Sequence, residues 1–333
     1  MDIKHWLEYL LQKYVIFKRN ENKSNIIELL ITLWPSFSHF SRFAQDERLA
    51  GIRLNPAMIT LEELNQEFIR LENSKVSVPL YFDVKGRQLR ITEIIHNPDR
   101  LEIRLNHPIK VATPTVVLFK AAADSGLLVG VEEDGYRLVF GNGRYSPRYQ
   151  VKPGESIHIR HSSLQIFGPT FVPYELQKIE QAVRAGFKQY FLSYVESNRD
   201  VDEFLELVGR DSSVMLKIEN KKGLDFVAHK FRKRPNIKLV AARGDLYVEI
   251  DQPHDIMSAL KLIIEHDPQA CVGSRILLSV IHESVPSCAD FLEMSWLYDI
   301  GYRSFMLCDE LCLVEEHLAT ATNVFQAFRE AYT

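Results

Sequence analysis

The sequence contains few cysteines, and all of them lie in its last quarter. There are four among 333 residues: Cys271, Cys288, Cys308 and Cys312. This distribution does not suggest a disulfide framework. Cys308-x-x-x-Cys312 lacks the second cysteine pair or the histidine cluster of a zinc site, so free or buried thiols are predicted. A reducing, cytoplasmic environment is therefore favoured.

The sequence also lacks a large excess of charge and any long hydrophobic run. Its net charge of −4 gives no reason to expect nucleic acid or an anionic membrane as a partner. No apolar run is long enough to cross a bilayer. Asp2, His5 and Glu8 interrupt the first apolar residues, which is not typical of a signal or transit peptide.

What is present is enough apolar sequence for a full-sized core, since 46% of the residues are hydrophobic. Within residues 1–20, Ile3, Trp6, Leu7, Leu10 and Tyr14 fall at helical spacing and predict an amphipathic helix. This helix would either cap the main domain or dock against another chain.

Two short apolar runs in the second half of the chain end in charged residues. Residues 214–219 read VMLKIE, and strand alternation puts Lys217 and Glu219 on one side. Residues 237–242 are followed by Arg243-Gly244-Asp245, after a gap that suits one helical crossover. The ends of adjacent parallel strands then bring a lysine and two carboxylates together. Such a group suits a hard divalent metal and an anionic substrate. Taken singly, each fragment is more simply a solvated pair or a turn.

Together the two fragments resemble the pyruvate kinase family, in which Lys-Ile-Glu-Asn is followed by Ala-Arg-Gly-Asp-Leu-Gly-Val-Glu. Here residues 217–220 read KIEN and residues 242–249 read ARGDLYVE, with Tyr247 at the family's second glycine. Residues 32–35 (TLWP), 53–55 (RLN) and 83–90 (DVKGRQLR) are also similar to family strand ends. The resemblance runs from about Ile27 to Glu310, and the family's C-terminal regulatory domain is not expected in this chain.

The hydrophobic pattern and the resemblance both predict a (β/α)8 TIM barrel with a small all-β domain inserted after the third barrel strand. Eight strand candidates alternate with helical patterns, at 27–33, 49–54, 78–83, 189–193, 214–217, 237–242, 270–274 and 303–307. Short alternating runs fill the middle of the chain. The predicted division is residues 1–25 as an N-terminal helix, 26–90 and 168–333 as the barrel, and 91–167 as the inserted β-domain.

The resemblance implies the roles of individual residues. Glu219 and Asp245 match carboxylates that bind Mg²⁺ or Mn²⁺. The expected catalytic residues are Lys217 and Arg53, which match cations near the phosphoryl group, and Ser274, which replaces a threonine near the enolate methylene. The remaining substrate contacts are expected from Ser193, Ala242, Arg243, Gly244, Asp245 and Ser274, and contacts to a nucleotide from Asn55 and Arg90.

The nucleotide half of the site departs from the family pattern. Residues 55–58 read NPAM where the family has Asn-Phe-Ser-His, so a serine near a monovalent cation and a histidine near the nucleotide are missing. Val84 and Gln88 replace a threonine and a glutamate, and Tyr174 replaces a lysine near the nucleotide phosphates. Residues 308–310 read CDE in place of Ser-Gly-Glu. A potassium requirement is therefore not expected.

Three functions fit this pattern. The first is a pyruvate kinase-like enzyme that moves phosphate between phosphoenolpyruvate and ADP or ATP. The second keeps the metal–enolate chemistry but uses a non-nucleotide acceptor, or acts as a metal-dependent pyruvate aldolase or lyase. The third is a non-catalytic binding or regulatory paralogue, which the joint retention of Lys217, Glu219 and Asp245 disfavours. Lys217 and Arg53 favour phosphoenolpyruvate chemistry. The expected partners are phosphoenolpyruvate or pyruvate, with nucleotide use and a homo-oligomer left open.

Overall fold

The first part of the chain builds three parallel strands and the helices that connect them. The structure is a computed structural model, and it describes residues 26–143, 146–283 and 285–332. The helix predicted over residues 1–20 lies outside the described residues. A capping box starts the second helix, because Thr60 and Glu63 exchange side-chain to backbone hydrogen bonds. The elements are β1 (Glu28–Thr32), α1 (Phe40–Phe43), β2 (Gly51–Leu54), α2 (Leu61–Glu72) and β3 (Leu80–Val84).

After β3 the chain leaves the parallel strands and forms antiparallel ones. The strands are β4 (Ile91–Ile95), β5 (Glu102–Leu105), β6 (Ile109–Lys110), β7 (Thr115–Phe119), β8 (Asp124–Glu132), β9 (Arg137–Phe140), β10 (Ile157–His158) and β11 (Gln165–Ile166). Six of them form a sheet in the order β10-β7-β8-β9-β5-β4, and β11 pairs with β6. We call residues 91–166 the inserted segment. It buries its own apolar cluster, which includes Val117, Phe119 and Phe140.

The chain then returns to parallel strands that alternate with helices. The elements are α3 (Pro173–Arg184), β12 (Gln189–Leu192), α4 (Asn198–Val208), β13 (Ser213–Ile218), α5 (Lys221–His229), β14 (Ile237–Ala242), α6 (Arg243–Glu249), α7 (Asp255–His266), β15 (Cys271–Gly273), α8 (Cys288–Asp299), β16 (Ser304–Met306), α9 (Asp309–Cys312) and α10 (Glu315–Tyr332).

The three parallel strands before the inserted segment and the five after it close into one parallel barrel, in the order β1-β16-β15-β14-β13-β12-β3-β2. The closing pair aligns Glu28 with Ser304, and Ile31 aligns with Ile52 on the other side of β1. The predicted TIM barrel is therefore confirmed. The predicted division into domains stays a prediction.

Apolar side chains fill the barrel and separate it from its helices. Leu30, Phe191, Met215, Val240, Cys271 and Met306 form the buried cluster inside the barrel. A larger cluster joins the outer faces of the strands to the helices. Because the strands are parallel, their C-terminal ends open on one rim, and the polar residues that follow them gather there. Among the described residues, no helix is both long and apolar enough to cross a membrane.

Candidate active site

A buried carboxylate, Asp83, lies at the centre of the polar groups on this rim. Its Oδ2 accepts hydrogen bonds from Arg53 Nε and Lys85 Nζ, both at 2.8 Å. Lys217 Nζ lies 3.5 Å from the same oxygen, and Ser193 Oγ donates to Oδ1 at 3.1 Å. We call these five residues the Asp83 cluster. The ends of β2, β3 and β13 thus supply three cations around one carboxylate, and the residue after β12 supplies a hydroxyl.

Charge governs the protonation of this cluster. Burial alone would raise the pKa of Asp83, but Lys217, Lys85 and Arg53 hold it well below its usual range. Burial lowers the pKa of Lys85 to about 8, because Asp83 offsets it only in part and the neighbouring cations lower it further. For Arg53, burial is outweighed by the charges of Asp309 and Asp83, so its pKa is raised. Asp83 is therefore an anion that holds the cations in place.

Lys217 joins the Asp83 cluster to the predicted metal carboxylate. Its ammonium lies 2.9 Å from Glu219 Oε1 and donates to Ser193 Oγ at 2.9 Å. The other oxygen of Glu219, Oε2, accepts the backbone N–H of Tyr194 at 2.7 Å. Lys217 and Glu219 are 6% and 1% exposed. Lys217 is thus enclosed between two carboxylates, Asp83 and Glu219.

The pKa of Glu219 is raised, although a lysine partner alone would lower it. Burial raises its pKa to about 7, and the charge of Asp245 adds to this effect against that of Lys217. The pKa of Lys217 is also raised, since Asp83 and Glu219 together outweigh its burial. Lys217 faces two anions, whereas Glu219 is buried beside a second carboxylate. More positive charge near Glu219 would therefore favour its ionised form.

The second predicted group lies around the start of α6. Gly244 N donates to Ser274 Oγ at 2.7 Å, and a Cβ at Gly244 would meet that oxygen at 3.1 Å. Arg243 turns outward, because its guanidinium binds Glu293 Oε1 and the Ser274 carbonyl, both at 2.5 Å. Ala242 is buried as the residue preceding α6. The sequence patterns did not predict α6 as a helix.

His158, from β10 of the inserted segment, reaches this group and was not predicted from the sequence. Its Nδ1 lies 2.6 Å from Glu249 Oε1 and 3.4 Å from the Tyr194 hydroxyl. Its Nε2 lies 3.5 Å from Asp245 Oδ1. Burial opposes the charged imidazole, but Glu249, Asp245 and Glu219 raise its pKa. No local pattern identifies this histidine, because its partners are some 90 residues away in sequence.

The residues predicted for a nucleotide are engaged within the protein. Asn55 Nδ2 donates to Asp309 Oδ1 at 2.9 Å, and Asp309 also accepts from Arg53 at 3.1 Å. Arg90 donates to the Gly154 carbonyl at 2.5 Å and to Gln88. The turn after β2 is thus tied to α9, and Arg90 is tied to the inserted segment.

Lys178 is a further cation in this half of the site, and sequence reasoning did not single it out. Its ammonium donates to the Pro56 carbonyl at 2.6 Å and lies 4.5 Å from the Tyr174 ring centroid. Burial lowers its pKa. It lies one helical turn after Tyr174, the position that the resemblance had assigned to a lysine, and this spacing could have identified it.

The donor set around Glu219 and Asp245 suits a hard cation. Both are carboxylates, which match the oxygen preference of Mg²⁺ and Mn²⁺, and they are near enough for the charge of Asp245 to add to the raised pKa of Glu219. In the part of the chain that the structure describes, no group of three or more His, Cys, Asp or Glu side chains is arranged to hold a metal. Two carboxylates leave most of an octahedral shell to substrate and water, which is common for Mg²⁺.

Comparison with known proteins supports the resemblance. A pyruvate kinase from Methanocaldococcus jannaschii is 24% identical over 307 residues, covering 85% of this chain and 64% of that protein. A pyruvate kinase from Agrobacterium vitis is 29% identical over 138 residues, covering 40% of this chain and 28% of that protein. No protein-family model matches the chain. The resemblance to pyruvate kinases is thereby confirmed, and the chain spans less than two thirds of the length of these relatives.

Proposed function

We propose, from this similarity to pyruvate kinases, that the chain is an enzyme acting on phosphoenolpyruvate or pyruvate through a metal-stabilised enolate. The observation that carries the proposal is the contact between Lys217 and Glu219 at 2.9 Å, with Asp245 close enough to influence the pKa of both. A cation and two carboxylates are thus assembled from the ends of two neighbouring barrel strands.

In this proposal Glu219 and Asp245 hold Mg²⁺ or Mn²⁺, which would supply positive charge to the enolate oxygen as it forms. Lys217 and Arg53 place positive charge beside the transferred phosphoryl group, where charge is spread over its oxygens. Asp83 keeps both cations charged and oriented. The Ser274 hydroxyl, which accepts the Gly244 N–H at 2.7 Å, would lie near the enolate methylene.

The acceptor is the second question, and one observation favours a non-nucleotide acceptor over ADP. Arg90 and Lys178 each donate a hydrogen bond to a backbone carbonyl. Gly154 packs closely against Met58, because a Cβ at Gly154 would lie 2.9 Å from the Met58 sulfur. Contacts within the protein thus already engage part of the donor capacity of Arg90 and Lys178, which supports the non-nucleotide alternative. An aldolase or lyase acting on pyruvate fits the same enolate group.

The test is an assay of the purified protein with Mg²⁺ and phosphoenolpyruvate, with and without ADP, following pyruvate. ADP-dependent pyruvate formation supports the kinase. If pyruvate forms without ADP, or if the protein exchanges the methyl protons of pyruvate with solvent deuterium, the enolate chemistry stands with another acceptor. The absence of both pyruvate formation and methyl-proton exchange would contradict the proposal. Because Lys85 already neutralises Asp83, we expect no more than a weak effect of added potassium.

A further inference from the structure

A cavity of about 360 Å³ lies between the inserted segment and the barrel rim, beside the candidate active site. The inserted segment and the residues leading into it give it an apolar wall that includes Leu89, Ile157 and Ile159. The opposite wall comes from the connections after β12 and β13 and from the end of α6. None of the five residues of the Asp83 cluster lines it, nor does Glu219, so the cavity is separate from that cluster.

The cavity gathers cations from three separate segments. Arg87 follows β3, Arg160 follows β10, and Lys221 and Lys222 form the first turn of α5. No acidic residue stands in that first turn. The positive end of the helix dipole therefore adds to the two ammonium groups.

The three carboxylates that line the cavity are already bound. Asp251 lies 2.6 Å from Lys221, Glu249 lies 2.6 Å from His158, and Glu196 accepts from Asn220 at 2.7 Å. Lys221 and His158 thus offset two of the three charges, and Lys222 lies 3.8 Å from the third, Glu196, which leaves Arg87 and Arg160 without a carboxylate partner in the described structure.

Several of the cations that line the cavity keep N–H donors that make no short ion pair or hydrogen bond in the described structure. Lys222 is exposed and has only a distant ion pair, 3.8 Å from Glu196. Arg87 donates to Thr170 at 3.2 Å, while its buried Nε has no hydrogen-bond partner in the described structure. Arg160 uses its Nε on the Val248 carbonyl. The unsatisfied charge at this wall is positive.

We propose that this cavity binds a small organic phosphate. Arginine, lysine and a helix N-terminus together recognise a phosphate group better than a neutral polar group, and the apolar wall receives the organic part of the molecule. The site does not depend on the proposed function, because none of its cations belongs to the Asp83 cluster.

The cavity is linked to the candidate active site through Tyr194. The residue lines the cavity, and its backbone N–H binds Glu219 at 2.7 Å. Its backbone is left-handed, with φ 53°, a conformation that a bulky residue rarely adopts. A bound phosphate therefore touches the inserted segment, the barrel and the residue that holds the metal carboxylate. Its occupancy is expected to hold the inserted segment against the barrel.

Calorimetry with phenyl phosphate as the probe tests this site. The wild-type protein is expected to bind it, and Arg87→Ala and Lys222→Ala are each expected to weaken binding by about ten- to a hundredfold, as for loss of a charge-assisted hydrogen bond. Lys222 is exposed, so its replacement should leave the melting temperature unchanged. Lys188→Ala, which removes an exposed lysine elsewhere, serves as the matched control and should bind like the wild type.

Lys217→Met separates this site from the catalytic one, since it should lose turnover and keep phenyl phosphate affinity. Affinity lost in Lys217→Met but kept in Arg87→Ala and Lys222→Ala would assign binding to the Asp83 cluster and overturn the proposal. Absence of binding to the wild type would overturn it as well. A negative phosphoenolpyruvate assay would not affect the expected binding, so the two proposals can fail independently.

Discussion

At the scale of single residues, the site is organised by compensation of buried charge. Asp83 is completely buried and holds three cations, whereas Glu219 is almost as buried and is satisfied by one cation and one amide. The sequence pattern identified Lys217 and Glu219 because they lie two positions apart on one strand. It did not identify Asp83 or Lys85 as their partners, because no local pattern states which of several charged strand ends will meet.

Lys217→Met is the first prediction at this scale. If Lys217 stabilises negative charge during the reaction, turnover should fall about 10²–10³-fold. The melting temperature should also fall, because Asp83 and Glu219 both lose a buried partner. Lys85→Met is the matched control, since it removes a buried partner of Asp83 without touching Glu219. Equal losses of turnover in the two variants would assign Lys217 a structural role only.

The second prediction concerns Glu219 and pH. Its carboxyl has an ordinary pKa of 4.5 and a folded pKa of about 7, so the folded state prefers the protonated form. The stability that this proton contributes is fully present below about pH 4.5 and is lost as pH rises through about 7. Glu219→Gln keeps a neutral side chain at every pH. Without added metal, the variant should gain thermal stability over the wild type as pH increases through this window.

The measurement is the melting temperature of both proteins from about pH 5 to pH 8 in the presence of a chelator. His158 has a raised pKa and the same sign of pH dependence, but it is present in both proteins and largely cancels in the difference. A difference that stays constant with pH would show that Glu219 keeps an ordinary pKa in the folded protein.

At the scale of elements, the sequence predicted the barrel well and the rim less well. All eight barrel strands lie within a few residues of the predicted runs, because each is a short, mostly buried apolar segment. Strand β4 was missed because its residues 92–94 are exposed and it follows the arginine-rich stretch at 87–90 without a turn signal. Helix α6 was missed because the glycine of Arg243-Gly244-Asp245 indicates a turn, while the buried Leu246 and Val248 turn the segment back onto the barrel.

The third prediction belongs to the ends of β13 and β14. Mg²⁺ or Mn²⁺ should bind where these strand ends bring Glu219 and Asp245 near each other, and Asp245→Ala should abolish binding. Since the folded pKa of Glu219 is about 7, metal binding near that pH should release a fraction of a proton. Calorimetry in buffers of different ionisation enthalpy measures both effects. Asp225→Ala, an exposed carboxylate of α5, is the control, and loss of binding there would contradict the assignment.

At the scale of the whole molecule, the inserted segment is held on the barrel by a few polar contacts. His158 binds Glu249, Arg160 binds the Val248 carbonyl, and Arg90 binds the Gly154 carbonyl. These contacts join segments that are far apart in sequence, which is why residue patterns could not predict them. Two of the contact residues, Arg160 and Glu249, also line the cavity beside the candidate active site.

The fourth prediction is that His158→Ala loosens this attachment. Amide exchange should accelerate in residues 156–166, which include β10 and β11, and stay slow in β13 and β14, because the barrel core does not depend on the histidine. Hydrogen–deuterium exchange read by mass spectrometry measures this. His96→Ala, an exposed histidine of the inserted segment, should have no effect. Uniform acceleration throughout the barrel would show that His158 supports the global fold instead.

The pairing of β1 with β16 has a consequence for the synthesis of the chain. Glu28 of β1 aligns with Ser304 of β16. The barrel therefore cannot close until β16 has been made, long after β1. Until then, the outer edge of β1 offers unpaired backbone groups to any other nascent strand. Because β1 can pair with β2 as soon as that strand is made, half of its hydrogen bonds form early. We therefore expect the barrel strands to form an open sheet first, and the ring to close only after β16 has been made.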